Sequence, residues 1–388
     1  MTCRSPRHIG SCVMLLFALF VCQPGAVLGE STRIAAGSTH SLLVAEDGSL
    51  WSWGHNQFGQ LGNGGLAPAV SPRQINELKT WKSVAAGDRF SAGIRQDGSL
   101  WMWGYNRFGQ LGDTTQVSRS SPTRVGKESD WSAVDLGQAH TVALKTNGTL
   151  WTWGSNLFGQ LGNSTAACSA FPAPVGEDRD WVAVAAGFGH TVALKANGTL
   201  WAWGDNQLAQ LGDGTTTKKT TPVRIGQESD WTGVIAGHFH TMAIKANHTL
   251  WAWGMNKSGQ LGDGSTRDKR SPTRIGKDAN WISVAVAHSH SAGIKADGSL
   301  WVWGNNRFGQ LGDDTADSHP SPVRIGTGDK WVSVSLGSSH SLGLKADGSL
   351  WSWGRNDDGQ VGDGTKNRRY APVPIRTEAR REAHGAPD

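Results

Sequence analysis

The chain has 388 residues, a formal net charge of +5 and only four Cys. A charge this small gives no case for nucleic acid as a partner. Three of the Cys fall in the first 22 residues, which excludes a disulfide framework.

The first 29 residues differ in character from the rest. Arg4 and Arg7 precede Cys12-Val13-Met14-Leu15-Leu16-Phe17-Ala18-Leu19-Phe20-Val21-Cys22, an apolar run too short to span a bilayer comfortably. A basic start, a short apolar core and small residues ending at Gly29 read as a secretory signal peptide, with cleavage expected after Gly29. An uncleaved anchor and a lipid-modified Cys22 are the alternatives, although Val21 before that Cys is large for the lipoprotein pattern. Cleavage leaves Cys168 as the one Cys of the mature chain. The expected location is secreted or periplasmic, and cytoplasmic if this N-terminal reading fails.

From residue 30 to 376 a 50-residue repeat governs the chain. Leu50-Trp51-Ser52-Trp53-Gly54, followed by Asn56, Gly59, Gln60, Leu61 and Gly62, returns without slippage. The Trp pairs are Trp51 and Trp53, Trp101 and Trp103, Trp151 and Trp153, Trp201 and Trp203, Trp251 and Trp253, Trp301 and Trp303, and Trp351 and Trp353. The remaining six of the 20 Trp, at 81, 131, 181, 231, 281 and 331, keep the same spacing. One supersecondary unit copied seven times explains this period.

Residues 181–230 show what the unit is. Trp181 to Ala186 reads as a buried strand, His190 to Lys195 as a second and Thr199 to Trp203 as a third. Asn197-Gly198 between the last two is a hairpin signal, because both turn positions need φ > 0. Only Asn247-His248 departs from that chemistry. Pro222-Val223-Arg224-Ile225 reads as a short outer strand, where a proline is tolerated. Four short antiparallel strands in seven copies, with no useful amphipathic helix, give an all-β, seven-bladed β-propeller. Alternate residues of a strand share a face, so both indoles of each pair are expected between neighbouring blades. Ser31-Thr32-Arg33-Ile34 occupies the slot of Trp81-Lys82-Ser83-Val84 without its Trp. An N-terminal strand completing the last blade is therefore the favoured closure. Residues 377–388 are charged and poor in apolar residues, and are expected to be a disordered tail.

The Leu-Trp-x-Trp-Gly-x-Asn-x-x-Gly-Gln-Leu-Gly and Gly-x-x-His-Ser/Thr strings resemble the regulator of chromosome condensation repeats, over roughly residues 31–376. The resemblance implies a seven-bladed propeller. It says little of activity, since such rings include an exchange factor for the small GTPase Ran, a plant UV-B photoreceptor and a secreted β-lactamase inhibitor. One fold hosts many functions, so function must be read from a site.

Residues repeated in every copy are poor site candidates. Asn56 and Gln60 are expected to hold loop backbone between blades. His40, His140, His190, His240, His290 and His340 form an incomplete ring that reads as structural, with Phe90 in the remaining slot. Lys145, Lys195, Lys245, Lys295 and Lys345 read as exposed strand positions that favour solubility. The variable pair inside each Gly-x-x-His string is more informative, because all seven pairs should line one end of the ring. There the chain places Asp88, Arg89, Phe90, Phe188, His238, Phe239 and His288, the composition of a binding hot spot. The photoreceptor uses this face for light sensing, with Trp at these positions; no Trp stands there in this chain. His238 with His240, and His288 with His290, form His-x-His pairs with the spacing to chelate zinc or copper. No carboxylate or Cys visibly converges on them, so neither metal nor cofactor is expected.

No nucleophile elbow, phosphate loop or paired catalytic carboxylates stand out, and the chain is not expected to be an enzyme. The expected function is an exported, monomeric binding scaffold that presents one propeller face to a partner protein or a cell-surface polymer. The alternatives are a guanine-nucleotide exchange factor for a small GTPase and a polysaccharide-active enzyme.

Overall fold

The computed structural model describes residues 33–164, 168–328 and 330–377. The expected signal peptide, and the expected tail beyond Thr377, lie outside the described residues. Seven four-stranded antiparallel sheets follow one another along the chain, at 34–74, 81–124, 131–174, 181–224, 231–274, 281–325 and 331–375. They are numbered here as blades one to seven.

In blade four the strands run Trp181–Ala186, His190–Lys195, Leu200–Gly204 and Lys219–Arg224. The first two match the sequence pattern residue for residue. The outer strand begins three residues before Pro222, because Gly204 pairs with Lys219 across a register shift. The hairpin turns behave as their chemistry requires: Gly198 has φ +76° and its N–H donates to Lys195 O. At the departing turn His248 is forced to φ +59°, and its Nδ1 lies 3.2 Å from Trp281 O.

The indoles set how blades meet. In blade three, Trp131 lies edge-on to Trp151 and tilted against Trp153, with centroids 6.1 and 5.9 Å apart. This aromatic face packs on Ile94, Leu100, Met102, Leu111 and Val125 of blade two. The second Trp of every pair is fully buried. The first stands nearer the outer rim and is partly exposed in every blade but the first.

A polar relay crosses each seam beside the indoles. Trp103 Nε1 donates to Gln60 O of the preceding blade at 2.9 Å, and Ser91 Oγ donates to the same carbonyl at 2.8 Å. His40 Nε2 lies 2.9 Å from Ser91 Oγ. The hydroxyl has given its one hydrogen to the carbonyl, so the imidazole must donate; the buried ring is the neutral Nε2–H tautomer. Gly62 makes the approach possible, because a Cβ on it would stand 2.7 Å from Trp103 Nε1. The six histidines are thus structural, and burial pushes each of them down to about 3. Phe90 fills the seventh slot, and Thr141 there keeps only its bond to Gln110 O.

Closure differs from the favoured expectation. The strand Ile34–Ala36 pairs with His40–Val44 in its own blade, and blade seven is complete by itself at Ile375. Among the described residues no strand is shared between blades. The ring closes as any other seam does: Trp53 Nε1 and Ser41 Oγ donate to Gln360 O, and His340 Nε2 meets Ser41 Oγ at 2.9 Å. Cutting each blade in phase with the 50-residue repeat leaves nothing for the N-terminal strand to complete.

Two further expectations change. Asn56 holds its own loop together, donating to Gly65 O and Ala67 O and accepting from Leu61 N, while the backbone carbonyl of Gln60, not its side chain, crosses the seam. The repeated lysines are not free solubilising charges. Lys245 is buried between Trp231 and Trp251, its Nζ 4.7 and 4.8 Å from the ring centres, and pairs with Asp230 at 3.0 Å.

Candidate functional site

The turn between the first and second strand of each blade carries the variable pair of the Gly-x-x-His string. The innermost strands surround an axial channel of about 280 Å³. Ser38, Asp88, Gln138, His238, His288 and Ser338 line it at the end where these turns lie. The variable residues therefore do share one face.

That face is divided into two patches. In the first, Arg89 lies 5.2 Å over the Phe58 ring and its Nε is 3.4 Å from the Asp88 carboxylate. Phe58 in turn meets Tyr105 edge-on, with centroids 4.9 Å apart. In the second, Phe188 lies 5.0 Å from Phe239 and 5.8 Å from His238. His238 stands 4.8 Å from His288, and Phe239 stands 6.1 Å from His288. Phe158 extends this cluster to blade three at 6.4 Å from Phe188. Gly189 makes room for it, since a Cβ there would lie 2.7 Å from the Phe158 ring.

Phe90 must be removed from the expected surface. It is fully buried in the slot that the other blades give to histidine, inside the core of blade two. The other six expected residues do reach the face: Arg89 and His288 are exposed, and Asp88, Phe188, His238 and Phe239 are half-buried. Sequence reading missed Phe58, Tyr105 and Phe158. Phe58 and Phe158 sit at a position where Phe recurs in several copies, so they resembled scaffold.

The His-x-His spacing does not give chelating pairs. His240 and His290 are strand residues committed to the seams, where their Nε2 atoms meet Ser291 and Ser341. His238 and His288 precede those strands, in the turns, so strand alternation does not bring each pair onto one side. Among the described residues no group of three or more His, Cys, Asp or Glu side chains gathers as a metal site. Burial, and then the neighbouring His288, hold the His238 imidazole below its ordinary value; burial also lowers His288. Both are neutral near pH 7, and the second patch is a mainly apolar, aromatic surface.

Deeper in the channel, Asp135 Oδ2 accepts from Ala186 N at 2.8 Å. Burial raises its carboxyl to about 6, against the lowering effect of the Ala186 and Leu136 N–H groups. Ser335 does the same work in the closing seam, accepting from Ala36 N at 3.0 Å. Asp135 is thus a seam contact that happens to titrate.

Fold and site together define a repeat propeller with an aromatic patch at one end of its channel. A family model described as an RCC1-like domain matches residues 127–386. Models of the regulator of chromosome condensation (RCC1) repeat match 47–94 and 97–144, and also 32–60 and 81–110. The chain belongs to the RCC1-like domain family. It is 45% identical over 58 residues to the protein RCC2 homolog of Xenopus laevis, a match covering 14% of this chain and 11% of that one. It is 43% identical over 53 residues to the mitochondrial RCC1 domain-containing protein RUG3 of Arabidopsis thaliana, covering 14% and 12%. Among solved structures, Prp20p of Saccharomyces cerevisiae superposes with a TM-score of 0.78 at 23% identity, covering 91% of this chain and 88% of that one. Human WBSCR16 gives the same TM-score at 21% identity, covering 85% and 94%. These likenesses define the fold.

Proposed function

We propose that the protein is a non-catalytic, exported scaffold that binds a partner protein through the aromatic end of its channel. The observation that carries this is the continuous cluster of Phe158, Phe188, His238, Phe239 and His288, whose rings lie 4.8 to 6.4 Å apart across blades three to six. Scattered single apolar residues are normal on a surface, whereas a contiguous aromatic patch on a rigid frame is the anatomy of an interface core. Leu157, exposed beside Phe158 in the chain, adds apolar area in the same loop. The Prp20p structure was reported with binding properties to Gsp1p and histones, so a propeller of this kind is a workable protein-binding frame.

The export half of the reading rests on the pattern of residues 1–29, and N-terminal sequencing of protein recovered outside the cytoplasm tests it: a mature chain starting near Glu30 is expected. The binding half is tested by photo-crosslinking from position 157, exposed at the edge of the patch, in the native host, with and without the double substitution F188S/F239S. The expected result is a partner captured by the wild type, lost in the double variant, with the variant's melting temperature nearly unchanged. A partner captured equally by both overturns the assignment of the face.

A further inference from the structure

The imidazoles of His238 and His288 are the one pair of titratable rings on the aromatic face that the fold itself does not use. The six seam histidines each meet a Ser or Thr hydroxyl. The His238 and His288 imidazoles, in contrast, make no hydrogen bond with any described residue, although the His238 backbone donates to Ala287 O and accepts from Phe188 N. They come from corresponding turns of adjacent blades, their ring centres are 4.8 Å apart, and they sit at the opening of the axial channel.

We infer that His238 and His288 form a two-imidazole site for a late first-row divalent ion of the zinc, nickel or copper class, held at the mouth of the channel. Such ions prefer neutral imidazole nitrogen, and rings on corresponding turns of neighbouring blades can present one nitrogen each to a common ion after a small rotation about their side-chain bonds. Both rings already lack a proton near neutral pH, so no proton has to be displaced. The rest of the coordination sphere is solvent-side. The same opening is lined by Ser38, Asp88, Gln138 and Ser338, oxygen-bearing groups that keep it wet. Phe188 and Phe239 flank the pair, lower the local polarity and restrict ring motion. Two protein ligands leave positions open, so the ion is weakly held and accessible from the channel.

The site stands whether or not a protein partner uses the same face. It differs from the sequence expectation in its geometry: the two rings come from different blades, and His240 and His290 take no part.

The test uses the untagged full mature chain, stripped with a chelator, and titrated calorimetrically with zinc chloride alone. Cupric ion is added in parallel, and its electron paramagnetic resonance spectrum recorded. One equivalent of zinc is expected to bind in the micromolar range, with the copper spectrum showing two equivalent nitrogen couplings. H238Q and H288Q should each weaken zinc by roughly tenfold or more, since loss of even an outer-shell partner has effects of that size. H319Q serves as the control, because His319 pairs with the Asp313 carboxylate away from the proposed site. The inter-blade bonds of His238, to Ala287 O and from Phe188 N, are made by its backbone and are kept in H238Q, and thermal melts verify that the variants stay folded. Zinc affinity unchanged in H238Q/H288Q, or lost in H319Q instead, overturns the inference. So does a copper spectrum with a single nitrogen, and so does the absence of any bound equivalent at micromolar zinc.

Discussion

A single residue can be out of step with its six counterparts, and the strict period makes such residues easy to find. Ala209 stands where Gly59, Gly109, Gly159, Gly259, Gly309 and Gly359 stand in the other copies, and it is held at φ +63° in a buried loop. A left-handed backbone with a Cβ costs about 1–2 kcal/mol. A209G therefore raises stability by roughly 1 kcal/mol, after allowance for the entropy glycine adds to the unfolded chain. A rise of a few degrees or less in the melting temperature is the expected readout. The same scale shows what was legible. Asn197-Gly198 and the Trp spacing announced hairpins and blades because their signals are local. Phe90 was misplaced because its neighbours in the chain, Asp88 and Arg89, are at the surface. Only the register of His40, His140 and their counterparts shows that its slot points into the seam. Phe158 was passed over for the opposite reason: a recurrent Phe looks like scaffold until Phe188 is seen beside it.

Among elements, the outer rim is held by a cation sealed between two indoles. Lys145 lies opposite Trp131 by strand register, which is not visible from the chain's own periodicity. That is why a ring of lysines read as solubilising charge. Lys245 shows the arrangement in buried form, between Trp231 and Trp251 and against Asp230. Arg95 takes the same place in blade two, 4.8 and 3.8 Å from the Trp81 and Trp101 rings. A partly desolvated cation–π contact contributes about 0.5–2 kcal/mol, and the alkyl stem covers the indole faces as well. K245A is expected to lose about 1–3 kcal/mol in urea denaturation. K245M, which retains the stem, should lose less. If K245M is as damaging as K245A, the ammonium rather than the stem is the main contributor; if both are neutral, the sandwich contributes nothing to stability. The loops obey a simpler rule. Asn56 and its counterparts clamp the segment after each Trp pair from within the blade, so loop shape is set before blades meet.

The whole ring carries one buried imidazole at six of its seven seams, the seam between blades two and three excepted, and this couples its stability to pH. Each of these rings is neutral when folded, with its protonation pushed down to about 3, but takes an ordinary histidine value near 6.5 once unfolded. Above about pH 6.5 neither state binds the proton and the histidines have no effect on stability. Below it the unfolded chain binds protons that the folded ring refuses, so stability falls steadily until pH approaches 3. Every group in that condition adds about 1.36 kcal/mol per pH unit to the slope. Unfolding at pH 5 is therefore expected to take up several protons, and at pH 8 almost none from these groups; the pH dependence of the melting temperature in matched buffers measures the difference. Phe90 supplies the internal control, since it shows that the slot accepts an aromatic ring with no donor while Thr141 still bonds Gln110 O. H190F should then change stability at pH 7.5 by no more than about 1 kcal/mol, because the lost hydrogen bond is offset by added apolar burial. At pH 5 the same variant should be more stable than the wild type, because one proton-refusing ring has been removed. A ring that loses stability equally in both proteins between pH 7 and 5 would place its acid sensitivity elsewhere. The Asp135 carboxyl is not that place. Its pKa is raised to about 6 when folded. Its destabilising effect therefore grows as pH rises from about 4 to 6, opposite in sign to the histidines.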